Sequence, residues 1–154
     1  MKTVFSLTAA YDISLITLTN IPNKPGNIAK VFQRIKADGI NVDMISKTAP
    51  YRDLTNVSFT LSDEEFPKAL AFLSQLKKEY PLLGAEVKSG STKITVAGEG
   101  MRNTPGVAAD VFQIIADCGG EIVLITTAET EISVLVDERD TDKIISRLKA
   151  EYDL

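Results

Sequence analysis

Pro25-Gly26-Asn27-Ile28-Ala29-Lys30-Val31-Phe32-Gln33-Arg34-Ile35-Lys36-Ala37-Asp38-Gly39 returns 80 residues later as Pro105-Gly106-Val107-Ala108-Ala109-Asp110-Val111-Phe112-Gln113-Ile114-Ile115-Ala116-Asp117-Cys118-Gly119. Both turn residues, Ala29, the Val-Phe-Gln triplet, Ile35 and the closing Gly39 all find identical partners in this frame, and Ile45 meets Ile125 beyond it. Such agreement in one frame marks an internal duplication, and a duplication has to be read before single elements are assigned. Further out, Val57-Ser58-Phe59-Thr60-Leu61 parallels Ile132-Ser133-Val134-Leu135-Val136 at a shift of only 75. The first copy therefore carries the longer hairpin. Its surplus falls in Ala49-Pro50-Tyr51-Arg52-Asp53, a segment of turn chemistry.

Each copy reads strand, helix, strand, strand, helix. Ile13-Ser14-Leu15-Ile16-Thr17-Leu18 has the β-branched and leucine content of a strand and is cut off by Pro22 and Pro25-Gly26. Ile28, Val31, Phe32 and Ile35 recur at helical spacing, and Asp38-Gly39 supplies the stop. Val42 and Met44, then the alternating Val57, Phe59 and Leu61, predict two strands. Ser62-Asp63-Glu64-Glu65 has the form of a capping box for a second helix, with Leu70, Leu73 and Leu76 as its apolar stripe.

Gly84-Ala85-Glu86-Val87-Lys88 gives the first copy a closing strand and completes βαββαβ, the ferredoxin-like unit. The second copy has no such strand after its last helix, predicted over 142–152. At the other end, Thr3-Val4-Phe5-Ser6-Leu7-Thr8 is a strand with no place in the first copy. A strand without neighbours leaves its backbone groups unpaired, so the N-terminal strand is expected to cross over and complete the second unit. The fold class is α+β: a first domain over 12–90, inserted in a second made of 91–154 plus 1–11.

Composition narrows the function by exclusion. A net charge of -4 without a basic stripe offers nothing to neutralise a phosphate backbone, so no nucleic-acid partner is expected. No apolar run approaches the length that spans a bilayer, and the first residues form a strand pattern rather than a signal peptide, so no membrane partner is expected. A single cysteine, Cys118, suits a reducing cytoplasm and reads as a small core residue beside Gly119. With no histidine in the chain, the commonest general base and nitrogen ligand are missing. Metal-binding and phosphate-cradling motifs are also missing, so neither a catalytic residue, a metal nor a cofactor is expected.

The Pro-Gly loops are the chemically suggestive feature. Where a chain turns into a helix, unpaired backbone N–H groups and the positive dipole end share one space, and that space suits a carboxylate. Gly26 permits close approach because it has no Cβ. Asn23 or Asp43 could accept from an ammonium group. The plainer reading is that Pro-Gly only starts a helix.

Ile21-Pro22-Asn23-Lys24-Pro25-Gly26-Asn27-Ile28-Ala29 resembles the first-loop motif of ACT domains. Gly39-Ile40-Asn41-Val42-Asp43-Met44-Ile45 resembles the strand that follows it in aspartate kinases. Gly98-Glu99-Gly100-Met101, Pro105-Gly106-Val107-Ala108-Ala109, Ile125-Thr126-Thr127-Ala128-Glu129 and Glu131-Ile132-Ser133-Val134-Leu135-Val136-Asp137 are similar to the second ACT domain of that family. The resemblance covers about residues 5–152 and implies two ACT domains in tandem, the regulatory half of an aspartate kinase, with no kinase domain in the chain. It implies feedback control of aspartate-family biosynthesis by a free amino acid bound between the first ACT domain of one chain and the second of another, in a homodimer that works with a kinase domain or catalytic subunit.

Carried over by resemblance, the effector-binding positions are Asn23, Pro25, Gly26, Asn27, Ile28, Ala29, Asp43 and Lys47 in the first copy and Met101, Thr126, Thr127 and Glu129 in the second. Two departures shape the expected ligand. Asn23 stands where the family usually has an aspartate, and Lys47 where it commonly has a glutamine. Both disfavour a lysine ligand, so threonine or another small amino acid is the expected effector. A structural dimerisation module with a decayed pocket and a stand-alone sensor are the alternatives. For the individual residues the plainer readings are strand propensity for Thr126 and Thr127, a solvated strand face for Glu129 and Glu131, and core packing for Met101 and Met44.

Overall fold

The computed structural model describes residues 3–154; Met1 and Lys2, which head the N-terminal segment assigned above to the second domain, lie outside the described residues. Six strands and four helices follow one another as β1 (Ser6–Pro22), α1 (Asn27–Ala37), β2 (Ile45–Lys47), β3 (Leu54–Ser62), α2 (Phe66–Glu79), β4 (Gly84–Ala97), α3 (Val107–Asp117), β5 (Ile122–Ala128), β6 (Glu131–Asp137) and α4 (Thr141–Tyr152). Two compact units emerge. The first is Ile13–Ser89, and the second joins residues 3–12 to Gly90–Leu154.

In the first unit the strands run β2-β3-β1-β4, and in the second β1-β4-β6-β5, so each unit is a four-stranded ferredoxin-like sheet. The crossover expected from the missing strand is present: the start of β1 supplies the fourth strand of the second unit. The structure corrects how this is achieved. The strands expected at 3–8 and 13–18 are one continuous β1, and the short strand expected at 84–88 runs on to Ala97 as β4. Asp12 in β1 and Gly90 in β4 take positive φ angles of 54° and 69° within these long strands.

The duplication is visible atom by atom. Gly26 and Gly106 precede α1 and α3 in the left-handed conformation, and their carbonyls accept from Lys30 N at 2.9 Å and Asp110 N at 3.0 Å. Both helices end alike: Gly39 and Gly119 take φ of 68° and 76°, Ile40 N donates to Ile35 O, and Gly120 N donates to Ile115 O. This six-to-one closure satisfies the last carbonyls of each helix. The lesser shift of 75 also holds, because Ser62 and Asp137 each cap the 3-10 turn that leads into the next helix, accepting from Glu64 N and Arg139 N.

Each unit has its own core. In the first, Val31 and Ile35 of α1 and Phe72 and Leu76 of α2 pack on Ile16, Leu18, Val57 and Phe59, with Phe59 edge-on to both Phe32 and Phe72. In the second, Val111, Ile115, Ile144 and Leu148 pack on Ile94, Val96, Val134 and Val136, and Val4 of the crossing segment is buried among them. Cys118 is part of this core, and Met44 is buried as expected. One stripe residue was misplaced: Leu70 is 49% exposed, and Ala69 takes the inward position. The buried set Ala69, Phe72, Leu73, Leu76 follows 3-1-3 spacing, which puts Leu70 about a third of a turn off the stripe.

The long hairpin ends in a tight turn. Tyr51 and Leu54 exchange backbone hydrogen bonds at 2.8 and 3.0 Å, with Arg52 and Asp53 between them at φ 50° and 59°. Two consecutive left-handed residues make the two-residue hairpin connection whose twist matches that of the strands.

Candidate functional site

At the first helix entrance, Asn27 N donates to Lys24 O at 3.2 Å across Pro25 and Gly26. With Gly26 at φ 86°, ψ -12°, this is a type II turn, which favours proline at its second position and glycine at its third. No side chain caps α1. The first-turn amides of Ile28 and Ala29 therefore lack the capping oxygen most helices supply, in the positive end of the helix dipole. A Cβ placed on Gly26 meets no heavy atom within 4 Å, so the space beside the turn is open.

The loop is held from behind. Asn23 N donates to Asp53 O at 2.7 Å, fastening it to the tip of the long hairpin. Asn27 is buried: its Nδ2 donates to Pro22 O at 2.7 Å, and its Oδ1 accepts from the Tyr80 hydroxyl at 3.4 Å. The Asn27 side chain thus supports the loop from the core side, and only its backbone belongs to the entrance.

The second entrance is built on the same turn but approached differently. Gly106 has φ 98°, ψ -10°, α3 has no side-chain cap, and the space beside Gly106 is likewise open. The chain reaches it through a 3-10 turn, Glu99–Asn103, which has no counterpart in the first copy. Gly98 N donates to Thr130 O, and Thr104 Oγ1 to Gly100 O, so this longer approach is tied down at both ends. Arg102 reaches from the turn to Glu99 at 3.2 Å and to Glu129 at the tip of the β5–β6 hairpin. Met101, Arg102, Asn103 and Glu129 line one shallow recess.

Of the expected positions, Asn23, Pro25, Gly26, Asn27, Ile28 and Ala29 form one contiguous loop and helix start, and Met101 joins Glu129. Thr126 and Thr127 do not line that recess; they sit on β5 opposite Ser133 and Ile132, with side chains on alternate faces. Asp43 is not brought to the Pro-Gly turn either. Its backbone N donates to Thr60 O, whereas the loop adjoins the Leu54 and Thr55 end of β3, five residues or about 17 Å away at the usual strand rise. Asp43 lines a separate recess with Asn41, Ser62 and Glu65. Lys47 lies between, opposite Val57, with its Nζ donating to Thr48 O. Glu129 lies on a solvated face, its side chain 73% exposed, and is ion-paired there with Arg102.

Arg102 and Tyr80 were absent from the sequence-derived set. Arg102 could have been found by asking what differs at equivalent positions, since Pro22 occupies its place in the first copy. Tyr80 lies 53 residues from its partner Asn27, and no local signal links them. Burial raises the Tyr152 hydroxyl's pKa, with smaller contributions from Asp110 and Glu151. Among the described residues, no group of three or more Cys, Asp or Glu is placed to hold a metal ion, and no helix is long and apolar enough to cross a membrane.

Two βαββαβ units, one inserted in the other, each opening its first helix with a left-handed glycine, define the class of protein. The chain belongs to the ACT domain family, whose sequence profile matches residues 4–76 and 94–152. More narrowly, it is an ACT regulatory region of the aspartate kinase kind. It is similar to the ligand-free regulatory subunit of aspartate kinase from Thermus thermophilus at 31% identity and a TM-score of 0.87, covering 97% of this chain and 98% of that one. It is similar to aspartate kinase from Synechocystis at 29% identity and a TM-score of 0.93, covering 99% of this chain and 28% of that one. The aspartokinase of Geobacillus stearothermophilus is 33% identical over 144 residues, which are 92% of this chain and 34% of that protein. The chain spans about a third of the length of the curated relatives it matches and corresponds to their regulatory ACT part, not their catalytic part.

Proposed function

We propose that the chain senses a free amino acid: the ligand's carboxylate docks on the backbone amides at the Pro25-Gly26 entrance, and binding adjusts the activity of an aspartate kinase domain or catalytic subunit. The observation that carries this reading is the uncapped start of α1 behind a left-handed glycine with open space beside it. Amides fixed in place by the Asn27 and Asn23 hydrogen bonds cost little reorganisation when an anion arrives. The ammonium needs an acceptor, and the Asn23 side chain on the same loop can supply it. Asp43 serves only if a second chain brings it there. We therefore place the site between two chains of a homodimer, with 12–90 of one chain facing 91–154 plus 1–11 of the other.

Asn23 and Lys47 set the ligand class. A neutral amide near the ammonium and a cation on β2 both disfavour a second positive charge, so threonine or another small neutral amino acid fits better than lysine. Control of a kinase follows only if the ligand prefers one arrangement of the assembly over another.

Calorimetric titration with each of the twenty amino acids tests the proposal. Heat of binding for a small neutral amino acid, lost in Gly26→Ala while Gly106→Ala retains it, supports the first entrance as the site. Silence from all twenty at millimolar concentration removes the sensor reading. The Arg102–Glu129 ion pair favours a second reading for the second copy alone, in which it serves as the structural partner of a ligand-binding first copy.

A further inference from the structure

Asn27 and Val107 stand at the same point of the two helix starts and both are buried, yet only Asn27 is polar. Its Nδ2 holds Pro22 O at 2.7 Å, and its Oδ1 accepts from the Tyr80 hydroxyl at 3.4 Å. A tyrosine stands behind Val107 as well. Tyr152, which the shift of 75 aligns with Lys77, three residues before Tyr80 and so on the same side of its helix, lines one recess with Val107. Its hydroxyl is buried without a hydrogen-bond partner.

The second copy thus builds the same left-handed glycine and uncapped helix with an apolar residue at this position. Burying an amide is unfavourable unless its ends are bonded, so the turn alone does not call for Asn27. What the amide adds is a hold on the loop. Asn27 N closes the turn on Lys24 O while its side chain grips Pro22 O, so one residue fixes both the Pro25-Gly26 turn and the chain leading into it. In the second copy that task falls to Gly98 N and Thr104 Oγ1 instead.

The Pro22 carbonyl can only accept, which turns Nδ2 toward it and leaves Oδ1 facing Tyr80. Without the hydroxyl, Oδ1 becomes a buried acceptor lacking a partner, and rotation of the amide away from Pro22 relieves it. Tyr80 is itself well fixed. Its N donates to Leu76 O and its carbonyl accepts from Leu83 N, both at 3.0 Å, and its ring packs against the first core.

We propose that Tyr80 is a positioning residue for the amino-acid site: through Asn27, its hydroxyl holds the Pro25-Gly26 loop in the conformation that presents the Ile28 and Ala29 amides, and so sets the affinity of the first entrance. This inference rests on the ligand reading above and adds a residue that does not touch the ligand. At 3.4 Å the hydroxyl bond is longer than most of its kind, so its weight falls on the orientation of the amide more than on the stability of the fold.

Calorimetric titration of the full chain tests it, with threonine as the probe or, if threonine gives no heat, the amino acid that gives the most. Tyr80→Phe, which keeps the ring, is expected to weaken binding about fivefold. Ile16→Val, a core truncation in the same unit, should lower the urea midpoint and leave the affinity within about twofold. In an Asn27→Val background Tyr80→Phe should change the affinity no further, because the hydroxyl acts only through the amide. An affinity unmoved by Tyr80→Phe, an equal loss in Ile16→Val, or a further loss in the Asn27→Val background overturns the positioning role and leaves the sensor reading standing. A parent chain that binds none of the twenty amino acids at millimolar concentration overturns both.

Discussion

Asn27 occupies the slot that Val107 fills in the second copy, yet it is polar and buried. Its two hydrogen bonds explain the difference: one holds the Pro22 carbonyl where β1 ends, the other meets Tyr80 at the end of α2. Asn27→Ala is expected to cost about 1–3 kcal/mol, since it leaves the Pro22 carbonyl and the Tyr80 hydroxyl without partners, and a shifted urea midpoint would read it out. Tyr152 presents the reverse case, a hydroxyl buried with no hydrogen-bond partner in the structure. Its pKa is raised in the folded chain, so the fold favours the protonated phenol. The associated stability is full below the unfolded value near 10 and declines as pH climbs through the higher folded value. Tyr152→Phe should match or exceed the parent in stability at neutral pH and lose less as the pH rises above about 10. Equal alkaline loss in both proteins would show that Tyr152 is not the responsible group. The Pro-Gly entrances and the closing Gly39 were legible in the sequence because turn chemistry is local. The Asn27 network was not, because Tyr80 comes near only when α2 folds back.

At the scale of elements, the critical junction is where the N-terminal segment meets the end of β4. A Cβ on Gly98 would fall 2.1 Å from the Thr3 carbonyl oxygen and 2.8 Å from Val4 Cα, both backbone, while Phe5 N donates to Ala97 O. A Cβ on Gly84 would fall equally close to Thr19 Oγ1, the end of a side chain that can rotate away. Gly98→Ala should therefore loosen the crossing strand and destabilise the second unit, whereas Gly84→Ala should have a small effect. Deleting residues 1–9 should reproduce and exceed the Gly98 effect. Hydrogen exchange resolves the two units: faster exchange confined to β5, β6 and the 91–97 part of β4 is the expected pattern, and equal loss in β2 and β3 would contradict it. The crossover could be inferred from strand bookkeeping, because an unpaired strand and a missing strand call for each other. That β1 spans Ser6–Pro22 and β4 Gly84–Ala97 as single strands could not, since Asp12 and Gly90 read as turn residues yet take positive φ within them.

For the whole molecule, ligand linkage gives the simplest measurement. An amino acid at 100 times its dissociation constant stabilises the folded state by about 2.7 kcal/mol, enough to raise the Tm by several degrees. Threonine or another small neutral amino acid should produce that rise at millimolar concentration and lysine a smaller one. Lys47→Gln should narrow the gap, and a lysine response already equal to threonine's in the parent would show that Lys47 does not discriminate. The sequence by itself determined the duplication, the α+β class, the inserted topology and the Pro-Gly entrances, because periodicity, turn chemistry and strand pairing are written in local order. Only the tertiary structure decided that Asp43 lies a strand's length from the turn, that Asn27 faces the core, and that Arg102 bridges to Glu129. Each depends on distances between segments far apart in the chain, which register and packing fix and residue spacing does not.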